Sequence, residues 1–476
     1  MASLKIGWAK ENICPIGEIC KKVSLVGQFH ERVTTVVRDP IYATALAIES
    51  SNGVKMVIIS LDLGFIPESL IEDTRKKLKS LAPDLPYKSL IMSATHIHTG
   101  PHLKQDFSAD LWGYRFKPIP TDPEILTPEA FSDFVAEKAA KTAASAWESR
   151  AAGGLVPAFG RVAVAHSRRV SYKDGTAQMY GSTDTKCFLR IEGGADTGVE
   201  YIAFFDDKQK MTGIVINLAC PAQVIEHEVF ISADLWGEVR KQWPECPYIL
   251  PLCGAAGDVT MRDLVRRDRS EQDMHSEIGM EQQAKRIVRE SQYVLSEINS
   301  KNIIYDLAVK HECRVISLPI RRVSDEEYFN AKKLYDAYER EYENNDFSAG
   351  YEDSISLHMR DRSSYAQVAG IVNRYQLQSE TNLLDIEIHA LRLGNVALTS
   401  NPFELFHDYG MQIKARSPAL QTLIAQLSCG FYVYLPTELS IAGGHYSAYV
   451  SDGYIGPEGG GILVEKTLDM LQDLYK

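Results

Sequence analysis

The sequence predicts an α/β protein, and three observations lead to this class. Short apolar runs typical of buried strands alternate with segments in which apolar residues recur at helical spacing. Hydrophobic residues make up 45% and charged residues 24% of the 476 positions, which fits a globular enzyme and excludes a fibrous or wholly disordered chain. No apolar run reaches the roughly 18 residues that a membrane helix needs.

The predicted elements follow from these patterns in chain order. Apolar runs predict buried strands at Val54–Leu61, Ser89–Ser93, Tyr201–Phe205, Gly213–Ala219 and Val396–Thr399. Pro128 falls at the first turn of a long helix predicted over 128–150. A second amphipathic pattern predicts a helix over 275–300.

The last third of the chain contains a highly charged segment. Ser324 and Glu327 have the spacing of a capping box, which predicts a charged helix that ends near residue 342. The polar stretch 343–365 that follows predicts an excursion loop. Gly456–Gly461 lacks the Lys-Ser/Thr of a phosphate-binding loop, so we interpret it as the cap of a C-terminal helix.

The charge balance limits the partners. Lys and Arg number 51 and Asp and Glu number 63, so the net charge is −12. An acidic chain without a basic stripe argues against nucleic-acid binding and against docking on anionic lipid. Charges near the start occupy the place of a signal peptide's apolar stretch, so we expect a cytoplasmic protein without membrane insertion. The eight cysteines are scattered, which favours reduced and mostly buried thiols.

A histidine-rich motif follows the second predicted strand. His96, His98 and His102 lie within seven residues, in a chain that has only 12 histidines. Residues two apart in an extended segment point to the same side, so His96 and His98 share a face. Imidazole nitrogens are common zinc ligands, and the motif therefore predicts a metal site rather than a polar loop of hydrogen-bonded histidines.

Further candidate residues follow three other apolar runs. Cys220 and His227 can both ligate zinc, although a buried thiol and a surface histidine would look the same in sequence. Asp258 and Thr260 follow small residues that let backbone N–H groups approach a substrate, or that simply form a tight turn. Glu404 lies among apolar residues, where a carboxylate needs a partner and a cation would provide one.

At these motifs the chain resembles the neutral/alkaline ceramidase family, which are zinc-dependent amidases. Thr95-His96-Ile-His98-Thr-Gly-Pro101 is similar to the family's Thr-His-Thr-His-Ser-Gly-Pro segment. Gly257-Asp-Val-Thr260 is similar to its Gly-Asp-Val-Ser loop, and Arg168 matches an arginine that faces the site. The matches run in order over most of residues 5–465.

The resemblance implies a fold and a domain organisation. It implies a central mixed β-sandwich flanked by helices, with the metal at the strand ends. Residues 1–476 would then form a single catalytic domain. Within that domain, the charged segment 320–380 would be a helical excursion that covers the site or makes an oligomer contact. The sequence leaves homo-oligomer formation open.

The resemblance also implies a ligand set with one zinc ion. His96 and Glu404 would bind the ion, together with either Cys220, which occupies the position of a family histidine, or His227, which we favour. The family's tyrosine ligand falls near Phe431, which cannot ligate. The residues that could compensate are Tyr432, Tyr434 and His445, and an additional water is a further alternative.

The catalytic roles implied by position complete this hypothesis. His98 would contact the reacting carbonyl, and with Arg168 it would stabilise oxyanion charge. Asp258 would orient a group or exchange a proton. Thr260 occupies the nucleophile position, but a threonine nucleophile needs an adjacent base that the sequence does not identify. We therefore expect direct attack by water at the metal.

Three functions fit these features. The first is a zinc-dependent hydrolase that acts on an amide- or ester-type bond of a small molecule, with ceramide disfavoured because an acidic cytoplasmic protein would rarely meet a membrane lipid. The second is a metal-dependent enzyme that acts on carbohydrates or polyols, which the tyrosine-rich tail from Tyr432 to Tyr454 suits. The third is a binding protein that has lost catalysis.

Overall fold

The structure is a computed structural model, and it describes residues 4–28, 32–106, 122–266, 274–344 and 362–476. Its strands are β1 (Leu4–Asn12), β2 (Val23–Ser24), β3 (Val33–Thr34), β4 (Tyr42–Ser50), β5 (Lys55–Leu61), β6 (Leu90–Ala94), β7 (Ala151–Arg161), β8 (His166–Ser167), β9 (Arg169–Tyr172), β10 (Ala177–Met179), β11 (Phe188–Ile191), β12 (Gly198–Asp206), β13 (Met211–Leu218), β14 (Ile249–Cys253), β15 (Val259–Thr260), β16 (Val309–Pro319), β17 (Leu383–Leu393), β18 (Val396–Ser400), β19 (Glu404–Leu405), β20 (Gln421–Ala425) and β21 (Tyr434–Leu435). Its α-helices are α1 (Glu68–Leu81), α2 (Pro128–Glu148), α3 (Asp234–Gln242), α4 (Glu277–Ser296), α5 (Asp325–Asn344), α6 (Arg362–Glu380), α7 (His407–Arg416), α8 (Glu438–Gly443) and α9 (Pro457–Tyr475).

Two mixed sheets form the centre of the fold. The larger has eight strands in the order β14-β13-β12-β7-β1-β4-β5-β6, antiparallel except for a parallel pair at each edge. The smaller has four strands in the order β16-β17-β18-β20, with β18 and β20 parallel. Apolar side chains of the smaller sheet, such as Leu391, Leu398 and Leu423, are buried in the same core as those of the larger. The sheets therefore pack face to face as a sandwich.

Three long helices flank this sandwich. α2 packs on β1 and β4, α4 packs on β7, and α9 packs on β16 and β17. Thr127 caps α2 by accepting a hydrogen bond from the Ala130 amide, and Pro128 occupies its first turn as predicted. The α/β class and the central mixed β-sandwich flanked by helices are confirmed, and each predicted strand overlaps an observed one.

The charged segment contains two helices that pack on each other. Val368 and Val372 of α6 are buried against Ala331 of α5. The capping box is present, because Ser324 Oγ accepts from the Glu327 amide while the Glu327 carboxylate accepts from the Ser324 amide at 2.8 Å. Most of the predicted excursion loop lies outside the described residues.

The state of the cysteines and the length and polarity of the helices can also be compared with the sequence predictions. All eight cysteines are free thiols, and Cys14, Cys220, Cys246, Cys253 and Cys429 are buried. Within the described parts of the chain, each helix is too short or too polar to cross a lipid bilayer.

Candidate active site

A buried histidine and a buried glutamate meet where the two sheets end. β5 and β6 run parallel at the edge of the larger sheet, and His96 follows β6 by two residues. Its Nδ1 is 2.6 Å from the carbonyl oxygen of Gly64, which follows β5. Its Nε2 is 3.2 Å from Oε2 of Glu404, which lies in β19, directly after strand β18 of the smaller sheet. The carbonyl fixes Nδ1 as a protonated nitrogen, so Nε2 is the ring nitrogen that faces Glu404 and that a neutral ring would offer to a ligand.

The backbone at His96 has an unfavourable conformation. Its φ is +67°, in the left-handed region that branched and bulky residues rarely occupy. Such a residue costs roughly 1–3 kcal/mol and persists where its surroundings hold it. The amide of His96 donates to the Leu63 carbonyl oxygen at 2.9 Å, which is one of the contacts that hold it. The left-handed backbone at His96 is accompanied by an imidazole that lies against Glu404.

His96 and Glu404 each shift the pKa of the other. Burial opposes the charged imidazole, but Glu404 outweighs it and raises the pKa of His96. Burial favours the neutral carboxyl, but His96 and Arg168 lower the pKa of Glu404 below its ordinary value. Glu404 is therefore a carboxylate, the form that binds a cation.

The position of Glu404 depends on a close approach by a glycine. The Gly257 amide donates to the carbonyl oxygen of Leu405 at 2.8 Å. A Cβ on Gly257 would lie 2.3 Å from the carbonyl oxygen of Glu404, so any larger residue would displace β19. The small-residue motif before Asp258 thus brings this turn against the strand that positions Glu404.

Asp258, Arg168 and Thr260 lie together on the other side of this turn. β15 pairs with β8, and the Arg168 amide donates to the Asp258 carbonyl oxygen at 3.0 Å. The Arg168 guanidinium donates to the Gly257 carbonyl oxygen at 2.7 Å. Asp258 Oδ1 accepts from the His407 amide at 2.8 Å, and burial raises the pKa of Asp258 to about 7. Its proton is therefore exchangeable near neutral pH.

The hydroxyl of Thr260 has two hydrogen-bonding neighbours. It accepts from the Arg262 amide at 3.2 Å and from the Tyr180 hydroxyl at 3.4 Å. Neither neighbour is a general base. The arrangement suits a hydrogen-bonding hydroxyl, and a nucleophilic role stays untested.

His98 is hydrogen-bonded at both ring nitrogens. Its Nδ1 donates to Oε2 of Glu226 at 2.9 Å, and its Nε2 accepts from the Gln223 amide group at 2.9 Å. Burial lowers the pKa of His98 despite the carboxylate, so the ring is neutral. Gly27, with φ of +98°, lies against this ring, and a Cβ there would clash with it at 2.1 Å.

Cys220 and His227 begin and end one turn but lie in different surroundings. Cys220 is buried, its Sγ faces the Val164 carbonyl oxygen at 3.9 Å, and burial raises the pKa of its thiol well above the ordinary value. His227 is exposed at the surface, with its Nε2 3.8 Å from Oε1 of Glu226. The Asp234 carboxylate shapes the turn by accepting from the amides of Val224 and Ile225, at 3.0 and 2.9 Å.

Tyr434 is an aromatic residue that lies beside Glu404. Glu404 and Tyr434 are partners in the parallel β19–β21 pair, and the Arg168 guanidinium lies 5.4 Å from the centre of the Tyr434 ring. Of the other sequence candidates, Tyr432 donates to a carboxylate oxygen of Glu68, and His445 Nδ1 accepts from the Met179 amide. Phe431 stacks on Phe65 with ring centroids 4.4 Å apart.

Sequence reasoning assigned no role to three residues of this region, whereas a fourth, Tyr446, belongs to the tyrosine-rich tail that it singled out. Glu226, Gln223 and Tyr180 contact His98 or Thr260, and the Tyr446 hydroxyl lies 3.5 Å from that of Tyr434. Glu226 stands in the Cys220–His227 motif, where a carboxylate beside histidines was an available signal. Gln223 and Tyr180 have no distinguishing pattern in sequence.

Comparisons with known proteins support the fold. No family model matches the chain. No curated protein matches it either. Among solved structures, the neutral ceramidase from Pseudomonas aeruginosa superposes with a TM-score of 0.70 at 15% identity, over 100% of this chain and 75% of that one. A ceramidase complexed with C2 gives a TM-score of 0.69 at 13% identity, over 100% of this chain and 76% of that one. The chain has the ceramidase fold.

Proposed function

We propose that the protein is a metal-dependent hydrolase of the ceramidase-like superfamily, acting on an amide- or ester-type bond of a small polar substrate. The observation that supports this most directly is the buried His96–Glu404 pair. Two chain segments more than 300 residues apart bring an imidazole nitrogen and a carboxylate oxygen to 3.2 Å at the ends of the two sheets. The shared fold with ceramidases adds weight to the hydrolase class.

The donor atoms suit a zinc ion. Imidazole nitrogen and carboxylate oxygen are ordinary zinc ligands, and a nitrogen already held by a carbonyl oxygen, as Nδ1 of His96 is, is typical of zinc-binding histidines. We propose Tyr434 and Cys220 as the candidates to complete the set, and we no longer favour His227. When bound, the ion supplies Lewis-acid chemistry, since it polarises a carbonyl oxygen and acidifies water.

The protein's own groups then have separate tasks. Arg168 places a permanent positive charge beside the pair, where it stabilises negative charge that develops on a substrate oxygen. Asp258, whose pKa is raised to about 7, gives or takes a proton near neutral pH. Thr260 donates a hydrogen bond to the substrate. Both ring nitrogens of His98 are engaged by Glu226 and Gln223, so His98 shapes the rim of the site as a positioning residue.

The side chains around the pair favour a polar substrate over a lipid. Arg168, Tyr180, Tyr434 and Thr260 present charged or hydroxyl groups. Hydrogen-bonding groups of this kind discriminate strongly for substrates that satisfy them. The same polarity keeps a carbohydrate or polyol substrate as the second candidate.

The test is the zinc content of protein purified without chelator or metal-affinity resin, measured by elemental analysis. His96→Ala and Glu404→Gln should each lose one zinc equivalent relative to wild type. Glu200→Gln is the matched control, because Glu200 is a buried carboxylate on β12 that pairs with Lys414. Equal zinc in all four proteins would overturn the proposal.

Activity screens then separate the candidate functions. Turnover of amides or esters by wild type, lost in His96→Ala, supports the hydrolase. Turnover of glycosides alone supports the carbohydrate enzyme. A protein that binds zinc but turns over no member of either panel would instead be the binding protein.

A further inference from the structure

Three metal-ligating side chains form a second cluster at the rim of the candidate site. Glu226 and His227 come from the turn after β13, and His275 precedes α4. Oε1 of Glu226 lies 3.4 Å from Nε2 of His275 and 3.8 Å from Nε2 of His227. One ligating atom from each side chain lies within 4.8 Å of the other two. Ligands around one tetrahedral zinc, at bond lengths of about 2.0–2.1 Å, lie roughly 3.3 Å apart.

The distances fit shared ligation better than hydrogen bonding alone. The separation of 3.8 Å between His227 Nε2 and Glu226 Oε1 is too long for a hydrogen bond. The two imidazole rings meet edge to face, with centroids 5.1 Å apart and planes at 76°. A small movement of the exposed His227 side chain would bring all three atoms to the distances that one ion requires.

The hydrogen bonds around the cluster leave one carboxylate oxygen of Glu226 directed at the other two side chains. Its Oε2 accepts from Nδ1 of His98 at 2.9 Å, whereas its Oε1 lies near Nε2 of His275 and of His227. The Arg32 guanidinium donates to the main-chain carbonyl oxygens of Glu226 and Glu228, at 2.6 and 2.8 Å. The neighbouring arginine is therefore engaged with the main chain, and Oε1 is the oxygen that would ligate an ion.

The cluster is open to solvent on one side. The His227 side chain is 65% exposed, whereas the side chains of His275 and Glu226 are 10% and 13% exposed. An ion can therefore enter from water, and water molecules can complete its coordination. A site with two imidazoles and one carboxylate suits zinc-like divalent ions rather than calcium or magnesium, which prefer oxygen ligands.

We propose that Glu226, His227 and His275 bind a second divalent ion of the zinc type. Glu226 connects this ion to the candidate active site, because its other carboxylate oxygen, Oε2, accepts the hydrogen bond from His98. Occupancy would pull on Glu226 and so alter the position of His98. The binding is independent of the proposed hydrolase activity, whereas the effect on His98 rests on it.

The experiment counts zinc equivalents in the full chain after equilibrium dialysis against free zinc. The variants are His227→Ala, His275→Ala and His96→Ala, and Glu228→Gln is the matched control because its exposed side chain lies one residue beyond the cluster. We expect two equivalents in wild type and in the control, and one in each histidine variant. Far-ultraviolet circular dichroism and thermal melts check that each variant is folded.

The outcomes distinguish the two sites. If wild type binds one zinc equivalent, and this zinc is retained in His227→Ala but lost in His96→Ala, the second site alone is overturned. If wild type binds one zinc equivalent, and this zinc is lost in His227→Ala but retained in His96→Ala, the second site is supported and the first is overturned. Zinc in none of the proteins would overturn both. The exposed position of His227 makes unfolding an inadequate explanation for a loss in that variant.

Discussion

Asn217 of the larger sheet is hydrogen-bonded in both directions to the backbone of Ile424 in the smaller sheet. Its Nδ2 donates to the Ile424 carbonyl oxygen at 2.7 Å, and its Oδ1 accepts from the Ile424 amide at 3.0 Å. The same Nδ2 donates to the Leu252 carbonyl oxygen at 3.0 Å. One buried amide therefore joins the edges of both sheets close to the strand ends from which the candidate site is built.

Replacing this amide should be costly. Asn217→Ala leaves buried backbone groups without partners, each worth roughly 1–3 kcal/mol, so we expect the free energy of unfolding to fall by about 3 kcal/mol. Thr212→Ala on the same strand removes one hydrogen bond of 3.3 Å to Phe204 and should cost less than about 1 kcal/mol. Urea unfolding of both variants measures this, and equal losses would contradict the proposed link between the sheets.

The fold was predictable because its signals are local. The apolar runs, the Pro128 helix start and the Ser324–Glu327 capping box each depend on neighbouring residues, and the structure bears them out. The pairing of the sheets through Asn217 and Ile424 joins residues more than 200 positions apart. Nothing in a local pattern predicts such a contact, so the sandwich had to come from the family resemblance.

The site was predictable only in part for the same reason. His96 was predicted from three histidines within seven residues after an apolar strand, and Glu404 from a carboxylate that lies among apolar residues. The identity of the remaining neighbours depends on side-chain direction: Tyr434 faces Glu404, whereas Tyr432, two residues earlier, contacts Glu68. His275 joins Glu226 from a polar segment that gives no signal in sequence.

A buried network of ion pairs joins α1 to the smaller sheet, and we expect it to contribute strongly to the free energy of unfolding. Arg75 contacts both carboxylate oxygens of Glu387, one of them at 3.1 Å, and Glu387 also pairs with Lys88 and His389. Arg75→Met removes one partner of a buried pair, so we expect a loss of about 3–5 kcal/mol in the free energy of unfolding. Denaturant unfolding measures this loss.

The neighbouring lysine provides the control for Arg75. Lys76 pairs with Asp73 on the exposed side of the same helix, so Lys76→Met should leave the denaturant midpoint unchanged. The double variant Arg75→Met/Glu387→Gln should recover part of the loss, because it also removes the charge of the carboxylate that Arg75→Met leaves with Lys88 and His389 but without its arginine. A double variant less stable than Arg75→Met would argue that packing, not charge, explains the effect.

Asp452 should make stability depend on pH near neutrality. Burial raises the pKa of its carboxyl to about 7, compared with an ordinary value of 3.8, which we take for the unfolded chain. Between these values the native state binds the proton more tightly, so this contribution to stability is present at low pH and is lost as pH rises through about 7. The free energy of unfolding of wild type should therefore fall by about 2–3 kcal/mol relative to that of Asp452→Asn between about pH 5 and pH 8. Urea unfolding at both pH values tests this, and a constant difference would show that Asp452 does not titrate there.

Thr260 distinguishes the two routes of hydrolysis once a substrate is known. A hydroxyl that only donates a hydrogen bond is worth about 1–3 kcal/mol, so Thr260→Ala should lower kcat by less than about 100-fold. Thr260→Ser keeps the hydroxyl and should stay close to wild type. A loss near ten-thousand-fold in the alanine variant would instead identify a nucleophile.

Tyr434 offers the sharpest test of how the metal site is completed. Its ring is buried next to Glu404 and Arg168, and burial followed by the negative charge of Glu404 raises the pKa of its hydroxyl. A cation bound at His96 and Glu404 would lower this pKa again, because it would stabilise the phenolate of Tyr434. Tyr434 can therefore act as a metal ligand only when such an ion is present. Tyr434→Phe should then weaken zinc binding by at least about tenfold, the lower end of what outer partners of a metal site contribute.

The control is a tyrosine that has a buried hydroxyl and is not among the candidate ligands. Tyr409 donates to the Pro436 carbonyl oxygen at 3.0 Å, so Tyr409→Phe also removes a buried hydrogen bond. Competition with a chelator of known affinity measures zinc binding in both variants. If Tyr434→Phe and Tyr409→Phe bind zinc equally well, Tyr434 is not a ligand, and Cys220 is then the remaining candidate, which Cys220→Ala tests in the same assay.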